Sequence, residues 1–171
     1  MSKKVVNMIQ AGAKKILIIE DEPDLAQIIV DLLQSENLVV KHSQNGNFAL
    51  EELQSGYKPD LVICDLAMPQ MDGFEFLKRA FLIDANLHVL VLTAFGDPEK
   101  IVKCMRLGCK DFVTKPFDSK IFLDKVFVNL EIARIQAEGS ESASRHHLMR
   151  IKNSSEPILA KKSNTGDFSD F

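Results

Sequence analysis

Three short runs, ILII at Ile16–Ile19, LVIC at Leu61–Cys64 and VLVL at Val89–Leu92, are apolar at every position. A strand with one wet face alternates apolar and polar residues, because successive side chains point to opposite sides. A strand with no polar position has no solvent face to offer, and must be covered above and below. That requirement is met by a parallel sheet sandwiched between helices. The strand candidates are therefore Ile16–Glu20, Leu38–His42, Leu61–Asp65, Val89–Thr93 and Asp111–Thr114.

Helical periods fill the gaps between them. After Asp21, apolar residues fall at Leu25, Ile28, Ile29, Leu32 and Leu33, one face of a 3.6-residue repeat. Pro23 suits the first turn, where its missing N–H has no partner to lose. A second helix is predicted over Asn47–Gln54, ending near Gly56. A third begins near Gly73 with Phe74, Leu77 and Phe81 turned inward. The fourth begins at Asp97-Pro98 and ends at Gly108, and the fifth spans Asp118 to Gln136. Five βα repeats predict an α/β fold with a doubly wound five-stranded parallel sheet and helices on both faces. Sites in such sheets lie beyond the carboxyl ends of the strands.

Those ends carry polar residues. The first run meets Glu20, Asp21 and Glu22, three like charges against a segment that must be buried. Two unit charges ~4 Å apart repel by about 4 kcal/mol at an effective dielectric of 20, so either the acids point apart into water or a cation sits among them. The third run ends in Asp65, the fourth in Thr93, and the fifth in Lys115 before Pro116. Carboxylate oxygens suit Mg²⁺, and a lysine and a hydroxyl opposite the ion make a place where phosphoryl oxygens are stabilised. Asp65, at the centre, is the candidate nucleophile.

With net charge −3 over 171 residues, nothing argues for a general grip on nucleic acid. No run reaches the ~18 apolar residues of a membrane span, and the first fifteen residues lack a signal-peptide core, so the expectation is a cytoplasmic chain without membrane contact. Cys64, Cys104 and Cys109 have no metal-ligand spacing and read as free thiols. Past Gln136 the composition turns to Ser, Lys, Asn and Gly. His146-His147, the Arg145, Arg150 and Lys152 cluster and the ending Asp167-Phe168, Asp170-Phe171 read as tail residues.

The motifs "ILIIEDE", "LVICDLAMPQMDG", "VLVLTAFGD" and "DFVTKPF" together resemble the receiver domain of two-component response regulators. The resemblance spans Lys14 to Gln136. It implies strand order 2-1-3-4-5, with an extension over 1–13, a receiver over 14–137 and a flexible tail over 138–171 without an output domain. It implies that Asp65 accepts a phosphoryl group from a phosphohistidine of a sensor histidine kinase or histidine phosphotransfer protein in a phosphorelay. Mg²⁺ would be bound by Asp21, Glu20, Asp65 and the backbone carbonyl of Ala67, and Thr93 and Lys115 would hold phosphoryl oxygens. Lys115-Pro116 would be cis, and Phe112 would be the aromatic switch, lacking the hydroxyl of the commoner Tyr. Output would pass through the face of the fourth helix, fifth strand and fifth helix. Such a domain is a switch, not an enzyme, beyond its own phosphoryl transfer and slow dephosphorylation. Ala67 and Phe95, flanking the path of an attacking water, cannot orient it, which predicts slower decay than in Phe95→Ala.

The fifth helix carries a core stripe of Phe122, Leu123, Val126, Phe127, Leu130 and Ala133. A second stripe of Ile121, Val128, Ile132 and Ile135 lies roughly opposite. A surface helix needs one apolar face; the second suggests a downstream protein, the tail, or a homodimer mate.

Overall fold

The computed structural model of the chain describes residues 13–69, 71–94 and 98–154, with 140–154 as helical backbone alone. Phe95, the Asp97 cap, the extension before Ala13 and the tail past Ser154 lie outside the described residues. The chain divides into two units, Met1–Ile135 and Gln136–Phe171.

Among the described residues of the first unit, five strands form one parallel sheet. They are β1 (Lys15–Ile19), β2 (Val39–Ser43), β3 (Leu61–Asp65), β4 (Val89–Ala94) and β5 (Asp111–Lys115). Their order is β2-β1-β3-β4-β5, as the family resemblance implies. Five described helices connect or follow them: α1 (Pro23–Ser35), α2 (Gly46–Gln54), α3 (Gly73–Ile83), α4 (Pro98–Leu107) and α5 (Ser119–Ser154).

The wholly apolar runs are explained by what their alternate residues meet. Ile16, Ile18, Leu61, Ile63, Leu90 and Leu92 pack with Ile29 and Leu33 of α1 and Phe122, Val126 and Leu130 of α5. Leu17, Ile19, Val62, Cys64, Val89 and Val91 pack on the other face with Leu50 of α2, Phe76 and Leu77 of α3 and Cys104 of α4. Burying a Leu or Ile side chain contributes about 1.5–3 kcal/mol, so a polar residue at any of these positions would lose core area on one face.

Local chemistry sets the helix starts. Asn45 accepts the Phe48 N–H at 3.0 Å, Asp72 the Glu75 N–H at 2.7 Å, and Asp118 the N–H groups of Lys120 and Ile121 at 2.8 and 3.1 Å. The end of α4 is fixed by Gly108, at φ 120°, which lets the Cys109 N–H donate back to the Cys104 carbonyl at 3.2 Å. In that motif the residues at the two ends of the bond touch through their side chains, which accounts for buried Cys104 and Cys109 lying together.

One expected boundary is corrected. The fifth helix continues beyond Gln136 to Ser154. The apolar period that located the helix stops near Ile135, but residues 137–154 contain Ala, Glu, Arg, Leu, Met and Lys, which favour helix without an apolar stripe.

Candidate functional site

Parallel strands leave the sheet in the same direction, so residues far apart in sequence meet on one rim. β1 runs out at Ile19, directly before Glu20 and Asp21. β3 ends on Asp65, β4 carries Thr93 next to its end, and β5 ends on Lys115. Glu20, Asp21 and Asp65 each offer a carboxylate oxygen, all within 4.8 Å of one another. Glu20 and Asp65 are buried, at 1 % and 4 % exposure, and Asp21 is half-buried.

Lys115 lies across the two buried acids. Its Nζ donates to Glu20 Oε2 and to Asp65 Oδ2, both at 2.7 Å. The other oxygen of Asp65 accepts the Ala67 N–H at 3.0 Å. Glu20 Oε1 accepts the Glu22 N–H at 3.2 Å, its main-chain carbonyl lies 2.8 Å from His42 Nε2, and its own N–H donates to the Ser43 carbonyl. Each acid is therefore held by a cation on one oxygen and a backbone N–H on the other.

Charge is unbalanced in this cluster, with three carboxylates beside one ammonium. Burial raises the pKa of Glu20, and the Asp65 charge adds to it; the bond to Lys115 only partly offsets the rise. Burial by itself would lower the Lys115 pKa, but its bonds to Asp65 and Glu20 carry it above the ordinary lysine value. The Lys115 direction expresses the negative charge around it, whereas the Glu20 direction is first the cost of burying a carboxylate and only second the Asp65 charge beside it. A hard divalent cation among the three carboxylates would relieve the crowding of like charge, and an all-oxygen donor set fits Mg²⁺. The residues present fit the group that the strand-end acids called for.

Other predicted residues stand as follows. Thr93 is buried, at 4 % exposure, one residue short of the end of β4, and its hydroxyl donates to the Ala94 carbonyl at 3.3 Å. Ala67 is exposed, two residues past Asp65. The Lys115-Pro116 peptide is cis. Phe112 is half-buried on β5, with Lys125 Nζ 5.3 Å from its ring centroid. Cys64, beside Asp65, is wholly buried, and burial pushes its thiol pKa well up, which suits a strand residue rather than a reactive thiol.

Gly73 is a site residue that the sequence reading used only as a helix start. Its N–H donates to the Leu66 carbonyl, and a Cβ there would sit 2.2 Å from the Asp65 carbonyl oxygen and 2.7 Å from Leu66 Cα. The first turn of α3 thus presses on the backbone that carries Asp65. The signal available was the Asp72-Gly73 pair seven residues downstream, legible as a turn but not as a close approach.

The family model for the response regulator receiver domain matches residues 16–127. Chemotaxis protein CheY of Bacillus subtilis is 34 % identical over 115 residues, covering 67 % of this chain and 95 % of its own. Sporulation initiation phosphotransferase F of the same organism is 34 % identical over 113 residues, covering 66 % of this chain and 90 % of its own. The solved structure of chemotaxis protein CheY4 of Vibrio cholerae superposes with a TM-score of 0.64 at 28 % identity, over 67 % of this chain and 97 % of that one.

Proposed function

The chain belongs to the response regulator receiver family, and on that premise we propose that it is a phosphorylation switch with Asp65 as phosphoacceptor. Receiver domains are signalling domains that interact with histidine kinases or phosphotransfer proteins. Here an Asp65 carboxylate oxygen attacks the phosphorus of a phosphohistidine; a P–O bond forms, the P–N bond breaks, and the imidazole leaves with the electron pair. The observation that supports this best is the convergence of Glu20, Asp21 and Asp65 within 4.8 Å beside the Lys115 ammonium.

Glu20, Asp21 and Asp65, with the Ala67 carbonyl, would hold Mg²⁺. When bound, such an ion supplies positive charge for the phosphoryl oxygens. Lys115 leaves its bond with Asp65 Oδ2 to hold a second phosphoryl oxygen. The Thr93 hydroxyl turns from the Ala94 carbonyl to a third, and the Phe112 ring moves into the space it vacates. The result alters the surface of α4, β5 and α5, a two-state element biased by a local change of charge. Ala67 offers no hydrogen bond to an attacking water, which favours a long-lived phosphoryl group; Phe95 is assigned the same part.

Output goes to a downstream protein or to a second copy of the chain. The stripe Ile121, Val128, Ile132 and Ile135, 58 %, 49 %, 40 % and 56 % exposed on one helix, supports a partner at this face, and we take a second copy as its occupant. We place the receiver at 14–137, the extension at 1–13 and a tail from 138, and assign the chain to the cytoplasm; no described helix is long and apolar enough to cross a membrane.

The test is incubation with Mg²⁺ and acetyl phosphate followed by a phosphate-affinity gel. A stable shifted band that disappears in Asp65→Asn is expected. Absence of any band in the wild type, or turnover without accumulation, would overturn the reading.

A further inference from the structure

β5 has a second polar cluster at its other end. Asp111, its first residue, accepts the Lys125 ammonium on Oδ1 at 2.7 Å and the Asn129 amide on Oδ2 at 3.3 Å. Asn129, 1 % exposed, also donates to the Lys125 carbonyl at 2.9 Å, so its Oδ1 is left to accept from His88 Nε2 at 3.1 Å. His88 is itself buried, at 4 % exposure, at the entry to β4. The chain His88, Asn129, Asp111, Lys125 joins the entry to β4 with β5 and α5 and fixes the Asp111 carboxylate to which the Lys125 ammonium, on a side chain 35 % exposed, is paired.

That ammonium is held over the Phe112 ring, 5.3 Å from its centroid. Phe112 is tied from its backbone as well, because its N–H donates to the same Asp111 Oδ1 at 2.8 Å. A cation within about 6 Å of a ring face is attracted to it. We infer that Lys125, fixed by Asp111, is a positioning residue that retains the Phe112 ring in its resting place and so opposes the switch. This rests on the proposed role of Phe112. The Lys125–Asp111 pair survives when the ring turns inward; the Lys125–ring contact does not. Only the second differs between the two states, and only a differential contact shifts their balance. Lys125 also falls four residues after Ile121 and three before Val128, on the apolar stripe, so a partner covering that stripe reaches the same ammonium.

The experiment uses the full chain and beryllofluoride with Mg²⁺ as phosphoryl probe, with NMR of the labelled Phe112 ring as readout. Lys125→Met keeps the aliphatic stem and removes the charge; Lys125→Arg keeps a cation. The half-saturating beryllofluoride concentration should fall about twofold to fivefold in Lys125→Met and return toward wild type in Lys125→Arg. An unchanged midpoint in Lys125→Met, or an arginine variant that behaves like the methionine one, overturns the inference while leaving the switch intact. A wild-type ring indifferent to beryllofluoride overturns the switch and the inference with it. Without any probe, the Lys125 ε-methylene protons should be ring-shifted upfield in the resting protein and lose that shift in Phe112→Leu; ordinary shifts in the wild type also overturn the inference.

Discussion

Lys115 Nζ donates to Asp65 Oδ2 at 2.7 Å although the two residues stand fifty positions apart in the chain. The same ammonium serves Glu20, which is 1 % exposed, so its removal strands two buried charges at once. Breaking one partner of a buried pair costs about 3–5 kcal/mol. Because the Lys115 side chain keeps 19 % of its surface at the rim, the lower end is expected: Lys115→Met should unfold about 3 kcal/mol more easily in urea with EDTA present. A loss under about 1 kcal/mol would mean that the acids are not held by this lysine.

The excess of carboxylates over ammonium makes the fold sensitive to a divalent ion. Mg²⁺ should raise the wild-type melting temperature, with stability growing by about 1.4 kcal/mol for each tenfold rise above its dissociation constant. Asp21→Asn should remove most of that response while raising the metal-free melting temperature, because it takes one of three mutually repelling carboxylates out of the cluster. Differential scanning calorimetry with and without Mg²⁺ checks both statements.

Gly73 and Gly46 provide a matched pair. A Cβ at Gly73 meets the Asp65 backbone at 2.2 Å, which cannot yield without moving the β3–α3 loop; a Cβ at Gly46 meets the Met71 sulfur at 2.7 Å, on a flexible side chain, and the Phe76 Cβ only at 3.1 Å. Overpacking costs about 1–3 kcal/mol. Gly73→Ala should reach or pass the upper value and slow labelling by acetyl phosphate about tenfold, whereas Gly46→Ala should stay near the lower value and label normally. Equal labelling rates in the two variants would dissociate the α3 turn from the placement of Asp65.

How much of this was legible beforehand varies with the range of the interaction. Runs such as ILII and VLVL declare strands because both faces of the sheet take apolar side chains, and acids at their ends mark the rim. Strand order came from the resemblance, since nothing in the periodicity of β2 or β5 says which neighbour each takes. The bridging of Glu20 by Lys115 and the linkage of His88 to Asn129 were not legible; such contacts exist only after distant strands and helices are assembled. The end of α5 was missed for a different reason: an apolar stripe reports burial, and a helix persists where burial stops.

His88 gives a prediction in pH. Burial lowers its pKa below the ordinary histidine value of 6.5, against a smaller opposite effect from its bond with Asn129. The unfolded chain then binds this proton more readily than the folded one. The contribution is fully present above pH 6.5 and is lost as pH falls from there toward the folded value. Urea midpoints should decline over that interval in the wild type and decline less in His88→Gln. A slope unchanged by the substitution would assign the acid sensitivity elsewhere.

Exposure of the α5 stripe predicts an association that depends on it. Ile132→Asp should sediment as a monomer under beryllofluoride where the wild type sediments as a dimer, with equal helicity by circular dichroism. Identical sedimentation of the two would remove the second copy as the stripe's occupant.

Sheet order has a mechanical consequence. Among the described residues β3, which ends on Asp65, is laced to β1 on one side and β4 on the other, while β5, which carries Phe112 and Lys115, is laced to β4 alone. A border strand can slide or tilt by straining a single ladder, whereas a central one must strain two. The proposed acceptor Asp65 therefore sits on anchored ground, as does Thr93 on doubly paired β4, while Phe112 and Lys115 ride on the looser margin.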